Sequence, residues 1–181
     1  MTTYDQCREA ESGGRLVLAV ARCALALGLL VASFLVGACS TRSHGNSPIE
    51  HYRSAPTRAL GLPFSDAVRA GDVLYVSGQI GNKPGTLTLV PGGIGPETRQ
   101  TIENLKAILE ANGSGLDRVV KCTVFLADIS EWPAMNEVYR QYFTGEPPAR
   151  SAVAGSGLAL GARVEIDCIA VIDEKQAKAP K

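Results

Sequence analysis

The stretch Arg163-Val164-Glu165-Ile166-Asp167-Cys168-Ile169-Ala170-Val171-Ile172 limits the fold more than any other part of the chain. Val164, Ile166, Cys168, Ala170 and Ile172 alternate with Glu165 and Asp167, the period-two pattern of a strand with one buried face. Its second half adds Ile169 and Val171 on the opposite side, so the strand ends apolar on both faces. A strand of that kind needs cover above and below.

The segments before it supply part of that cover. Phe64–Val68 and Val73–Ile80 read as strands flanking Arg69–Asp72, a hairpin signal. Gly81–Gly95 is rich in glycine and reads as loop, with one short strand candidate at Thr86–Val90. Pro96 opens a helix to about Asn112, with Ile102, Leu105, Ile108 and Leu109 on one face and Gly113 as its stop. Val119–Leu126 is strand-like. Ser130 is expected to cap a second helix to about Phe143, burying Trp132, Met135, Val138, Tyr139 and Tyr142 or Phe143. Ala149–Ala154 and Arg163–Ile172 close the chain as strands. This order predicts an α+β fold, one mixed sheet with two helices packed on one face. The other face is left for a second copy of the chain.

Charge and histidine content exclude several functions. Lys+Arg and Asp+Glu both count 18, for a formal net charge of zero. A nucleic-acid partner is therefore not expected, because phosphate backbones call for a clustered basic face. The two histidines, His44 and His51, lie in a polar stretch ahead of the folded part. A Ser-His-Asp triad, a Cys-His pair or a His-rich metal centre has almost nothing to be built from.

The first part of the chain reads as an export signal. After Arg22 an uncharged apolar run extends to Ala38, shorter than the ~20 residues that span a bilayer. Leu35-Val36-Gly37-Ala38-Cys39-Ser40 resembles the lipobox of bacterial lipoproteins. The resemblance implies cleavage before Cys39, lipid on its thiol and, with Ser40 following, an outer-membrane anchor facing the periplasm. The alternatives are an uncleaved anchor or a mis-assigned start on a cytoplasmic protein. The expected organisation is a signal peptide over 1–38, a flexible tether over 39–55, a folded domain over 56–173 and a disordered tail over 174–181. Cys122 and Cys168 fall in strands without CxxC spacing and read as buried small hydrophobes, with a disulfide possible only between neighbouring strands.

Chemistry is expected around Arg150, which follows Pro147 and Pro148 among small apolar residues. A guanidinium there either snorkels to water from an edge strand or grips a planar carboxylate through paired hydrogen bonds. Glu165 lies on the next predicted strand, and a hairpin through Gly155–Ala162 would bring both side chains to one rim. Such a pair reads either as a structural ion pair or as a clamp beside a water-orienting carboxylate. Ser77-Gly78-Gln79-Ile80-Gly81 ends a strand with glycines that permit close backbone approach to a ligand. Gly155-Ser156-Gly157-Leu158-Ala159-Leu160-Gly161 does not match GxGxxG and precedes a strand, so no dinucleotide site is expected.

Several blocks together resemble the RidA (YjgF/YER057c/UK114) family. They are Ser77–Ile80, Arg99–Ala107, Val119–Asp128, Asn136–Tyr139, Pro148–Ser151 and Val164–Asp167, in that order. The resemblance covers about residues 56–172. It implies a chorismate-mutase-like subunit forming a homotrimer, with sites in the clefts between subunits. It further implies cofactor-free hydrolysis of reactive enamines and imines, such as 2-iminobutanoate and 2-iminopropanoate, to the 2-oxo acid and ammonia. Arg150 then corresponds to the carboxylate-binding arginine and Glu165 to the glutamate that positions water. Asn136, Gly78 and Ile80 correspond to cleft positions. Two departures stand out. Phe64 replaces the tyrosine of the family's Gly-Pro-Tyr-Ser, and Ala152 replaces a cysteine after Arg-Ser. The alternative function is a non-catalytic trimeric module that binds small carboxylates or protects other proteins.

Overall fold

The computed structural model describes residues 48–172, in which six strands form one sheet. The strands are β1 (Ile49–Tyr52), β2 (Ala67–Ala70), β3 (Val73–Ile80), β4 (Val119–Leu126), β5 (Ala149–Ala154) and β6 (Val164–Val171). The helices are α1 (Ala55–Ala59), α2 (Ile94–Ala111) and α3 (Trp132–Tyr142). The order across the sheet is β1-β2-β3-β6-β4-β5. The strand with two apolar faces is thus central, antiparallel to β3 on one side and to β4 on the other. Its insertion splits what would otherwise be neighbouring parallel strands.

The alternation read from sequence sets which side carries the core. Val164, Ile166, Cys168 and Ala170 of β6, with Cys122, Val124 and Leu126 of β4, are buried. Against them pack Ile102, Leu105 and Leu109 from α2 and Met135 and Tyr139 from α3. Each fully buried Leu in such a layer contributes about 1.5–3 kcal/mol over an exposed one. On the opposite face Tyr75 and Val153 are exposed, and Ile169 and Phe125 are only half-buried.

Several sequence expectations are corrected. The tether predicted over 39–55 is ordered from Ile49: β1 pairs antiparallel with β2, and Ser54 caps α1 by accepting from the Thr57 N–H. Ile49, Glu50 and His51 are exposed and only Tyr52 turns toward the core, so this edge strand carries no periodic apolar signal. The hairpin strand starts at Ala67 rather than Phe64; just ahead of it the Asp66 carboxylate accepts from the Ser54 N–H and the Thr57 hydroxyl. Its turn shrinks to Gly71 and Asp72, with Gly71 at φ 63°. No strand forms over Thr86–Val90, where a single bridge joins Asn82 and Leu89.

The first long helix begins at Ile94, two residues before Pro96, and stops just ahead of Gly113 as expected. The second helix is preceded by a 3-10 turn at Ile129–Glu131 whose cap is Asp128, accepting from the Ser130 N–H at 2.9 Å, rather than Ser130 itself. Trp132, expected in the core, is 42% exposed. The signal peptide, Cys39 and the tail 174–181 lie outside the described residues.

Candidate active site

Glu165 is fixed in place from both ends of its neighbourhood. Two residues earlier, the Arg163 N–H donates to the buried Glu97 carboxylate of α2 at 2.8 Å. The Arg163 side chain pairs with Glu131 at 2.8 Å. Glu165 itself lies opposite Ile80 on β3 and Phe125 on β4. The register of β3 breaks between Val76 and Gln79, and Gly78 sits in that irregularity. A Cβ on Gly78 would overlap the Glu165 carboxylate, so only glycine lets the side chain lie across the strand.

Burial raises the Glu165 pKa, and the nearby Asp167 carboxylate raises it further. A half-buried acid with no cation beside it among the described residues is suited to accept a proton. It lines a cavity of about 710 Å³ shared with Phe64, Gly78 and Ile80. Phe64 is positioned by the loop before β2, which is tied to β3 where Ser77 Oγ donates to the Ser65 carbonyl at 2.6 Å.

Arg150 does not lie beside Glu165. The expected hairpin is absent: β5 is an edge strand parallel to β4, and β4 separates it from β6. A β4-α3-β5 crossover makes β5 pair with β4, an arrangement the loop length alone does not reveal. Arg150 pairs with Cys122, which in turn faces Cys168 on β6. Glu165 is three residues from Cys168, and odd spacing along a strand reverses the face. Arg150 therefore points to the helix side and Glu165 to the open side.

On its own side the Arg150 guanidinium lies 4.6 Å from the Tyr139 ring centroid and 6.0 Å from that of Trp132. Such stacking holds a cation flat while leaving its N–H edge for a planar acceptor. Among the described residues no carboxylate pairs with Arg150, so neither a structural ion pair nor a free snorkelling side chain describes it. The buried Tyr139 hydroxyl makes no hydrogen bond of ordinary geometry. Burial, then the adjoining Cys122 thiol, raise its pKa.

Asn136 is half-buried on α3, with Trp132 one turn before it and Tyr139 nearly one turn after, so the three share a face. Ala152 follows Arg150 on the same side of β5, opposite Val124. The predicted site residues thus fall into two groups. Phe64, Gly78, Ile80 and Glu165 line the cavity, whereas Arg150, Asn136 and Ala152 do not.

Sequence reasoning missed Leu60, Leu87 and Leu160, all of which line the cavity. They sit in loops without periodicity, and the left-handed backbone at Leu160 (φ 58°) has no sequence signature.

Comparison with known proteins places this geometry. A family model described as "Endoribonuclease L-PSP" matches residues 54–172. The chain belongs to the RidA/YjgF family. It is 46% identical to protein DfrA of Myxococcus xanthus over 67% of this chain and 92% of that one. It is likewise 46% identical to the 2-iminobutanoate/2-iminopropanoate deaminase of Mus musculus, over 62% of this chain and 83% of the relative. Among solved structures it is similar to the Rid-family protein YyfA of Yersinia pestis, with a TM-score of 0.64 and 39% identity, covering 69% of this chain and all of that one. E. coli TdcF, solved with bound serine, is 34% identical with a TM-score of 0.58, covering 61% of this chain and 89% of TdcF. The single mixed sheet expected from sequence is the architecture of this RidA-type fold.

Proposed function

We propose that this RidA-family protein hydrolyses 2-imino acids to 2-oxo acids and ammonia, at sites completed between copies of a homotrimer. One observation carries the proposal. Glu165 stands on the open face of the sheet beside Gly78, while a ring-stacked Arg150, with no carboxylate partner among the described residues, stands on the helix face at the sheet edge. One subunit holds both halves of a site without bringing them together. Stacking the open face of one copy against the β5 edge of the next joins them and covers Tyr75, Val153 and their apolar neighbours.

In the joined site, Arg150 of the neighbouring copy binds the substrate carboxylate through two parallel hydrogen bonds, with Asn136 and Ala152 beside it. This leaves the imine carbon facing Glu165. The Glu165 carboxylate takes a proton from water as the C–O bond forms and passes it to the imine nitrogen. It then takes the hydroxyl proton of the resulting carbinolamine and delivers it to the amine as the C–N bond breaks and the C=O bond forms. The products are one 2-oxo acid and one ammonia for each imine and water consumed. Carbon keeps its oxidation state throughout, so the reaction asks for no redox cofactor. The imine-deaminase names of the relatives and the serine held by TdcF are in keeping with a small carboxylate-bearing substrate.

The test is loss of an imine generated by an amino-acid oxidase, followed with and without the purified protein. Acceleration that disappears in Arg150→Ala is expected. Equal rates for the two proteins would discard the assignment. Phe64, lacking the hydroxyl of the family tyrosine, favours a second reading as a carboxylate-binding module. That reading gives Arg150-dependent binding in a calorimeter without turnover.

We also propose that Cys39 is lipidated and anchors the protein in the cell envelope, as the lipobox-like residues suggest. Radiolabelled fatty acid should mark the natural chain and spare Cys39→Ser. An unlabelled natural chain would remove this proposal.

A further inference from the structure

The cavity is much larger than the side chain of 2-iminopropanoate, a single methyl group. At about 710 Å³ it falls in the range of about 300–1,000 Å³ typical of pockets that enclose drug-sized ligands. Its walls are mainly apolar, with Leu60, Leu62, Phe64, Ile80, Leu87 and Leu160 contributing. Four of these are large and exposed: Leu60 at 41%, Phe64 at 46%, Leu87 at 48% and Leu160 at 54%. Exposed apolar side chains gathered around one concavity mark a surface that is covered in use.

The backbone adds a second, independent observation. Leu160 is the only non-glycine residue with positive φ among the described residues, at 58°. A side-chain-bearing residue is strained there, and strain of this kind gathers at ligand clamps. It holds an apolar side chain at the cavity lip.

Charge narrows the ligand. No Lys, Arg or His is among the described residues lining the cavity, and its ionisable carboxyls are Asp66, Glu103 and Glu165. Asp66 is occupied by the Ser54 N–H and the Thr57 hydroxyl, and Glu103 by the Tyr142 hydroxyl at 2.7 Å. A side chain carrying its own carboxylate finds no cationic partner, and a cationic one finds only Glu165 unengaged, the group that the hydrolase reading gives to water.

We propose that this cavity selects 2-imino acids with large uncharged apolar side chains, of the branched aliphatic or aromatic kind, over those bearing methyl or ethyl. The inference rests on the imine-hydrolase reading of Glu165 and Arg150, and adds the side-chain class that the site takes.

The experiment supplies the full-length protein with imines made by an amino-acid oxidase from leucine, phenylalanine, alanine, 2-aminobutyrate and lysine, at matched imine flux. Because one added methylene in an apolar pocket is worth about tenfold or more, kcat/KM for the leucine and phenylalanine imines should exceed that for the alanine imine at least tenfold. Leu87→Asp and Leu160→Asp, both at exposed positions and so compatible with folding, should each cut that ratio several-fold. Equal kcat/KM across the series, a preference for the alanine or lysine imine, or an unchanged ratio in both variants would overturn the inference. Absence of turnover with every imine would instead remove the hydrolase reading. Calorimetry with 4-methyl-2-oxopentanoate against pyruvate then decides the cavity's role separately. Tighter binding of the larger oxo acid supports it, and equal binding overturns it.

Discussion

Arg150 and Glu165 stand on opposite faces of one sheet, two strands apart, with Cys122 and Cys168 marking the row between them. The relationship follows from register alone and does not depend on rotamers. On the proposed mechanism, the two groups act on one substrate from different subunits. A trimer of Arg150→Ala chains and one of Glu165→Gln chains should each lose about 10²-fold or more of imine hydrolysis. Co-expressed in equal amounts, they should regain on the order of a quarter of the natural rate, because random neighbours then join an intact Glu165 to an intact Arg150 at that frequency. Mixed trimers no more active than either parent would show that the two residues do not share a site.

Gly78 offers a test of how Glu165 is held. Its missing Cβ is the space across which the carboxylate lies. Gly78→Ala should displace Glu165 by about an ångström, and misplacement of that size costs on the order of 10²-fold in turnover. Overpacking of about 1–3 kcal/mol should appear together with it in urea unfolding. A variant with natural activity would mean that the position of Glu165 is immaterial to the rate.

Much of the scaffold is legible in the sequence, because the elements with a buried face carry their period with them. The β6 alternation, the Ile102-Leu105-Leu109 stripe and the Gly113 stop all reappear in the fold. Strand adjacency is different. The pairing of β5 with β4 rather than β6 arises from the α3 crossover, and no local pattern in Gly155–Ala162 reports it. The two apolar faces of β6 do carry a usable hint, since a central strand must be flanked on both edges. β1 escapes notice because three of its four residues are exposed, and backbone pairing leaves no residue pattern. The cavity escapes notice because its lip depends on a left-handed leucine.

The pH dependence of the reaction should follow Glu165. Burial first, and the Asp167 carboxylate second, raise its pKa above the ordinary 4.5. A base must be ionised, so the acid limb of kcat/KM should fall at a higher pH than an ordinary carboxylate would give. Asp167→Asn removes the second cause and should move that limb downward. The folded state also holds this proton more tightly than the unfolded chain. Between 4.5 and the raised value, stability therefore falls as pH rises. Glu165→Gln should flatten that slope. An acid limb that Asp167→Asn leaves unmoved would assign the limb to another group.

Tyr139 separates the platform from the hydroxyl. Its ring stacks against Phe143 with centroids 4.4 Å apart and carries the Arg150 guanidinium on 4.6 Å. Its hydroxyl is buried against the Cys122 thiol, a weak partner, and makes no other hydrogen bond among the described residues. A buried polar group left unsatisfied costs about 1–3 kcal/mol in desolvation, and a thiol offsets only part of that. Tyr139→Phe should therefore leave the protein as stable as before, or more so, with KM unchanged. Tyr139→Leu removes a cation–π contact worth about 0.5–2 kcal/mol and frees the guanidinium to swing. KM should rise several-fold with a smaller change in kcat, since Arg150 grips the carboxylate in ground state and transition state alike. Kinetics on the two variants, set against their unfolding midpoints, check both halves. A Tyr139→Phe variant as impaired as Tyr139→Leu would show that the hydroxyl, rather than the ring, supports Arg150.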